Sequence, residues 1–84
     1  MFNIVFHKSA AKHFSKLDRP SKKRIAKAID VLSVSPYLGK PLHGELSGTR
    51  RLRIGNFRII YEIQLSEKTL LVHAIGSRGD VYKG

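Results

Sequence analysis

The chain has 84 residues, with 16 Lys and Arg against 6 Asp and Glu, so it carries a formal charge of +10 and is expected to form one small domain, 1–84. It has no Cys, which excludes disulfides and thiolate zinc sites; its histidines (His7, His13, His43, His73) show no metal-ligand spacing, and no apolar run approaches the roughly 20 residues that span a bilayer. Such a surplus of cations repels itself in a compact chain and favours an anionic partner, nucleic acid first and an acidic protein second; the expected setting is cytoplasmic, with no cofactor, metal or membrane.

Residues 2–6 (F-N-I-V-F) read as a short strand. Ser9 is the expected N-cap of a helix over 9–17, in which Ala11, Phe14 and Leu17 share a face. Asp18-Arg19-Pro20 breaks the chain and restarts it, since proline suits a first helical turn. The next helix, 20–34, carries Ile25, Ala28, Ile29 and Leu32 at the spacing of a core-facing stripe, with Lys22, Lys23, Arg24 and Lys27 on its outer side. Residues 35–48 hold Pro36, Gly39, Pro41, Gly44 and Gly48 and read as a loop, tacked to the core by Tyr37, Leu38, Leu42 and Leu46.

The remaining chain has the composition of strands at 49–54, 57–65 and 69–76. The expected fold is α+β: an N-terminal strand, a two-helix hairpin, then a three-stranded antiparallel meander. Together the strands form one small sheet with the helices on one face. The first strand must pair with one of the later three, with a parallel pairing open to it.

Gly55-Asn56 is a two-residue hairpin turn, and it sets the register. Ile54 falls opposite Phe57, Arg53 opposite Arg58 and Arg51 opposite Ile60. Alternation then places Leu52, Ile54, Phe57, Ile59, Tyr61, Ile63, Leu70, Val72 and Ala74 against the helices. The other face carries Arg51, Arg53, Arg58 and Glu62, with Ile60, Leu71, His73 and Ile75 between them. Like charges directly opposite one another destabilise a sheet, and one Glu cannot balance three Arg. A bound phosphate accounts for the arrangement, because guanidinium forks match phosphate oxygens. His73 sits mid-strand on that face among apolar neighbours, which favours a structural role over that of a base.

Past the last strand, Gly76 and Gly79 allow a sharp turn with Arg78 on it, in reach of the arginine face. Tyr82 follows near the chain end, placed to cover the sheet edge, stack on a base or move a proton. The lysines of the helices (Lys8, Lys12, Lys16, Lys22, Lys23, Lys27) form a diffuse solvated surface, with docking on RNA as the alternative.

Four segments in order resemble the RelE toxin family of the wider RelE/ParE superfamily. They are the opening F-N-I-V-F-H-K-S-A-A-K-H-F-S-K-L, the P-L-x-G-x-L-x-G run from Pro41 to Gly48, R-R-L-R-I-G-N-F-R-I-I-Y-E-I from Arg50 to Ile63, and I-G-S-R-G-D-V-Y from Ile75 to Tyr82. The resemblance covers nearly the whole chain. It implies the toxin of a type II toxin–antitoxin system, an endoribonuclease that cuts mRNA in the ribosomal A site without metal or cofactor. It implies mRNA and ribosomal RNA as partners, and a RelB-like antitoxin that blocks the basic face.

Carried over residue by residue, Arg51 and Arg53 match two basic positions on the second strand of the family. Arg58 matches a phosphate-binding arginine, Arg78 the arginine after the last strand, and Tyr82 the tyrosine that stacks on the substrate base. Catalysis thus falls to Arg53, Arg58, Arg78 and Tyr82, and RNA or phosphate binding to Arg51, Arg53, Lys22 and Lys23. Two departures leave the proton acceptor open. Ser77 stands where many members have His, and both strand positions are Arg where some members have Lys, which is more easily tuned into a base. The competing expectations are a ParE-like inhibitor of DNA gyrase that cuts no RNA, a basic RNA-binding domain without chemistry, and an inactive toxin.

Overall fold

A computed structural model describes residues 1–77, and nine elements make up these described residues. They are β1 (Asn3–Phe6), α1 (Lys8–Ser15), α2 (Arg19–Val34), a 3-10 turn (Pro36–Leu38), β2 (Lys40–Pro41), a second 3-10 turn (Gly44–Leu46), β3 (Arg50–Ile54), β4 (Phe57–Gln64) and β5 (Thr69–Ser77). The strands form one sheet in the order β1-β5-β4-β3-β2. β1 runs parallel to β5, and every other pairing is antiparallel. This is the expected α+β architecture, with β2 added as a short edge strand inside the segment expected to be loop.

The helices start where the local chemistry satisfies their first N–H groups. Asp18 caps α2 by accepting from the Ser21 N–H at 2.9 Å, and Pro20 occupies the first turn. The cap of α1 is His7 and not Ser9: its Nδ1 accepts from the Ser9 N–H at 3.2 Å. α1 continues from the end of β1, and Ser9 Oγ donates to the His73 carbonyl of β5 at 3.4 Å.

Ile25, Ala28, Ile29 and Leu32 of α2 and Ala10 of α1 are buried against Ile59, Tyr61, Leu70, Val72 and Ile75 of the sheet. Each fully buried large side chain in this layer contributes about 1.5–3 kcal/mol. Phe6 and Phe14 meet edge to face with centroids 5.9 Å apart and close the β1–α1 corner of the core.

The 35–41 segment is anchored differently from expectation. Tyr37 and Leu38 are 57% and 55% exposed, so they do not pin it to the core. The pin is Tyr61, fully buried, whose hydroxyl donates to the Pro36 carbonyl at 2.6 Å and accepts from the Gly39 N–H at 2.9 Å. Arg50 adds a second clasp: its Nε donates to the Gly39 carbonyl at 2.8 Å, and its guanidinium lies 5.1 Å from the centre of the Tyr37 ring. Gly39 is required by space. A Cβ there would fall 2.7 Å from Tyr61 Oη and 2.8 Å from the Arg51 carbonyl oxygen.

Candidate nucleic-acid interface

The turn at Gly55-Asn56 has a positive φ at Gly55 alone (58°), as a type II′ hairpin requires. It sets the register expected from the sequence: Ile54 pairs with Phe57, Arg53 with Arg58 and Arg51 with Ile60. β2 and β5 extend these pairs into rows across the face turned away from the core. One row runs Arg53, Arg58, Gly76; the next runs Lys40, Arg51, Ile60, Ala74. Arg53 and Arg58 are direct neighbours, with Cβ atoms about 5 Å apart. Gly76 is not part of a turn: it continues the ladder opposite Arg58 and places no side chain beside it. Arg53 is exposed, Arg51 and Arg58 are half-buried, and the Nη1 of Arg58 is buried.

Lys40 is the cation that sequence reasoning missed. A two-residue strand leaves no periodicity to find, and Pro41 beside it argues against a strand unless the strand lies at an edge. Here it does. Pro41 pairs with Arg50, Lys40 pairs with Arg51, and Leu42 N–H closes the corner on the Thr49 carbonyl at 2.9 Å. Four basic side chains (Lys40, Arg51, Arg53, Arg58) thus share two adjacent rows. Lys22 and Lys23 do not join them, because α2 packs on the opposite face of the sheet. Arg78 and Tyr82 lie outside the described residues.

Beyond these rows the sheet departs from strict alternation. Ile60 pairs with Ala74 but Tyr61 pairs with Val72, so His73 is the extra residue of a β-bulge in β5. The bulge moves Ile75 into the helix-covered core and Ala74 onto the outer face, the reverse of the expected assignment for both. His73 stays on the outer face. Its Nε2 lies 2.9 Å from Glu62 Oε1, and its ring stacks on His7 with centroids 6.4 Å apart and planes 22° from parallel. The acid expected to offset one arginine is therefore engaged by a histidine.

A groove of about 810 Å³ runs along this end of the face. Ile60, His73, Ala74 and Gly76 lie along it; Ser9 and His13 of α1 with Lys16 just past it line one part, and Glu45 to Ser47 with Thr49 line another. Among the described residues, no three His, Asp or Glu side chains are placed to hold a metal ion. No helix of the described residues is long and apolar enough to cross a membrane.

A small antiparallel-dominated sheet with paired helices on one face and clustered arginines on the other defines a small basic α+β domain with a cationic sheet face. Residues 4–82 match the family model described as the ParE toxin of the type II toxin–antitoxin system parDE. The chain belongs to this family, within the RelE/ParE superfamily. It is 37% identical over 46 residues to Toxin RelG of Mycobacterium tuberculosis, a match covering 55% of this chain and 53% of that protein. Against that curated relative, the chain therefore spans about half the length.

Among solved structures, it resembles a chain of the RelBE2 toxin–antitoxin complex of Mycobacterium tuberculosis, at 29% identity and a TM-score of 0.84, covering 92% of this chain and 98% of that one. It also shares the fold of the isolated Escherichia coli RelE toxin, at 19% identity and a TM-score of 0.82, covering 99% and 93% of the two chains.

Proposed function

We propose that this type II toxin is a ribosome-dependent mRNA endoribonuclease that cuts in the A site and so inhibits translation. One observation carries the proposal: Arg51, Arg53, Arg58 and Lys40 share two adjacent rows of one sheet face, and guanidinium forks match phosphate oxygens. The nucleophile is the substrate's own 2′-OH, which attacks the adjacent phosphorus. The P–O5′ bond breaks, leaving a 2′,3′-cyclic phosphate and a 5′-OH end. A chemistry of this kind needs orientation of the 2′-OH, stabilisation of a charge-rich phosphorane and a proton for the leaving oxygen.

Arg58 and Arg78 clamp the scissile phosphate in this scheme. Arg53 and Arg51 hold that phosphate's neighbours or ribosomal RNA. Tyr82 stacks on the displaced base, worth about 1–3 kcal/mol, or protonates the leaving 5′-oxygen. Lys22 and Lys23, on the far side of the sheet, serve only general attraction to RNA. The partner that silences the toxin is a RelB-like antitoxin, by analogy with the structural relatives crystallised as RelBE complexes.

The test is primer extension on mRNA translated in an extract. The wild type should produce breaks within codons, and Arg58→Ala and Arg78→Ala should abolish them while the fold is retained. Unchanged cleavage by both variants would sink the assignment. The ParE family match supports a second reading, a gyrase inhibitor that cuts no RNA. That reading expects gyrase-dependent DNA breaks with intact mRNA in the same two assays.

A further inference from the structure

The scheme above lacks a proton acceptor, and arginine cannot easily supply one. We infer that His73, oriented by Glu62, takes the proton from the substrate 2′-OH. This rests on the ribonuclease reading and adds to it the residue that neither Ser77 nor the arginines provide.

Placement on the sheet is the first support. Alternation along β5 leaves His73 on the outer face, and the bulge sets Ala74 on that face beside it, so that His73 lies next to the Ile60–Ala74 row. The Arg53–Arg58–Gly76 row lies two residues beyond that row and three from His73, about 10 Å along β5, a gap that an extended arginine side chain can largely span. A guanidinium and an imidazole so spaced can meet the phosphate and the 2′-OH of a single nucleotide.

The second support is the tautomer. An ionised carboxylate only accepts hydrogen bonds, so the 2.9 Å contact with Glu62 Oε1 puts a proton on Nε2 of His73. In the neutral ring the lone pair then belongs to Nδ1. A carboxylate fixing one imidazole nitrogen so that the other serves as base is a recurrent catalytic geometry.

Access is the third. His73 lines the groove, its side chain is 35% exposed, and that of Glu62 is 38% exposed, so neither is sealed from a substrate. The charged and titratable groups that face the pair are Glu62 from β4, Arg51 from the adjoining row of β3, His7 at the head of α1, His13 of α1, Lys16 just past it, and Glu45 from across the groove.

The step balances without any co-reactant. Nδ1 takes the proton of the 2′-OH, O2′ bonds to phosphorus, and the P–O5′ pair leaves on O5′. That oxygen is protonated by water, and the imidazolium returns its proton to solvent. Glu62 touches no reacting atom and acts as a positioning residue.

The experiment is single-turnover cleavage on programmed ribosomes, measured across pH with the full-length chain. His73→Gln keeps a donor toward Glu62 but cannot take up a proton, so the rate should fall about 10²–10⁴-fold and the acidic limb of the pH–rate profile should vanish. Glu62→Gln can donate to Nε2 and so favours the wrong tautomer; the rate should fall about 10²-fold or more with an altered profile. Circular dichroism and urea midpoints confirm that both variants fold. A wild type that cleaves together with His73→Gln cleaving at the same rate and profile overturns this inference alone. Glu62→Gln with the wild-type rate and profile overturns the pairing. A wild type that leaves mRNA intact overturns the ribonuclease reading and this inference with it.

Discussion

Removing a single oxygen from the core should measurably weaken the whole domain. Tyr61→Phe leaves the ring in place but withdraws the hydroxyl that accepts from Gly39 N–H at 2.9 Å and donates to the Pro36 carbonyl at 2.6 Å. Tyr61 is fully buried, and Pro36 and Gly39 are buried too, so water cannot freely replace the hydroxyl. A buried polar group stripped of its partner costs about 1–3 kcal/mol; two are stripped here, and the lower half of that range for each gives an expected loss of about 2–4 kcal/mol. Against the roughly 5–10 kcal/mol of a domain this size, that is a large share. It corresponds to a fall in melting temperature of about 10–25 °C. Urea titration followed by far-UV circular dichroism should show a lower midpoint with an unchanged slope. A loss below about 0.5 kcal/mol, the range of ordinary surface substitutions, would refute the claim that this hydroxyl pins the 35–41 segment.

Four further outcomes follow from the same geometry. Gly39→Ala should destabilise by about 1–3 kcal/mol through overpacking, because the new methyl meets Tyr61 and the Arg51 backbone; equal stability by urea titration would contradict the close approach. Burial, opposed by the Gly39 N–H and the nearby Arg50, raises the Tyr61 hydroxyl above its ordinary value, so it holds its proton longer folded than unfolded. Its contribution is therefore complete below about pH 10 and lost as pH climbs through the folded value, and the stability gap between wild type and Tyr61→Phe should close over that alkaline range. Asp18 is held low by the Ser21 side-chain and backbone hydrogen bonds, with Arg24 assisting. Its cap is present above about pH 4 and lost as pH falls through the folded value, so Asp18→Ala should differ from wild type at neutral pH and converge with it in acid. Lys40→Ala should flatten the salt dependence of single-stranded RNA binding by about 0.7 in log–log slope, the signature of one lost phosphate contact; an unchanged slope removes Lys40 from the interface.

The elements that could be read directly were those with a repeating pattern or a strong turn. Ile25, Ala28, Ile29 and Leu32 announced their helix by spacing, and all four are buried. Gly55-Asn56 announced the hairpin, and Arg53 does face Arg58. What escaped were features with no period. β2 is two residues long and carries a proline. Arg50 seemed one more cation among many, yet it holds the Gly39 carbonyl. Tyr37 and Leu38 are apolar enough to suggest anchors, but the hidden anchor is a hydroxyl on a strand more than 20 residues later. The histidine cap of α1 escaped because serine is the more usual cap and stood two positions away.

The assignment of the outer face shows why a site is harder to read than a fold. Alternation along a strand is a count of two, and one extra residue reverses everything beyond it. Up to Val72, counting in from the β4–β5 turn, the faces of β5 follow alternation; after the bulge Ala74 and Ile75 exchange sides. The core tolerates the exchange, since either residue is apolar. On the outer face Ala74 stands on the side where alternation alone would put Ile75, and it lines the groove beside His73. The charge excess alone pointed to some anion. The register concentrates part of that charge in two rows, and alternation leaves on the same face the one carboxylate–imidazole pair of the described residues. Without the bulge His73 would stand opposite Ile60 in the row of Lys40 and Arg51; with it, Ala74 takes that place and His73 lies one residue further from the arginines, beside Glu62.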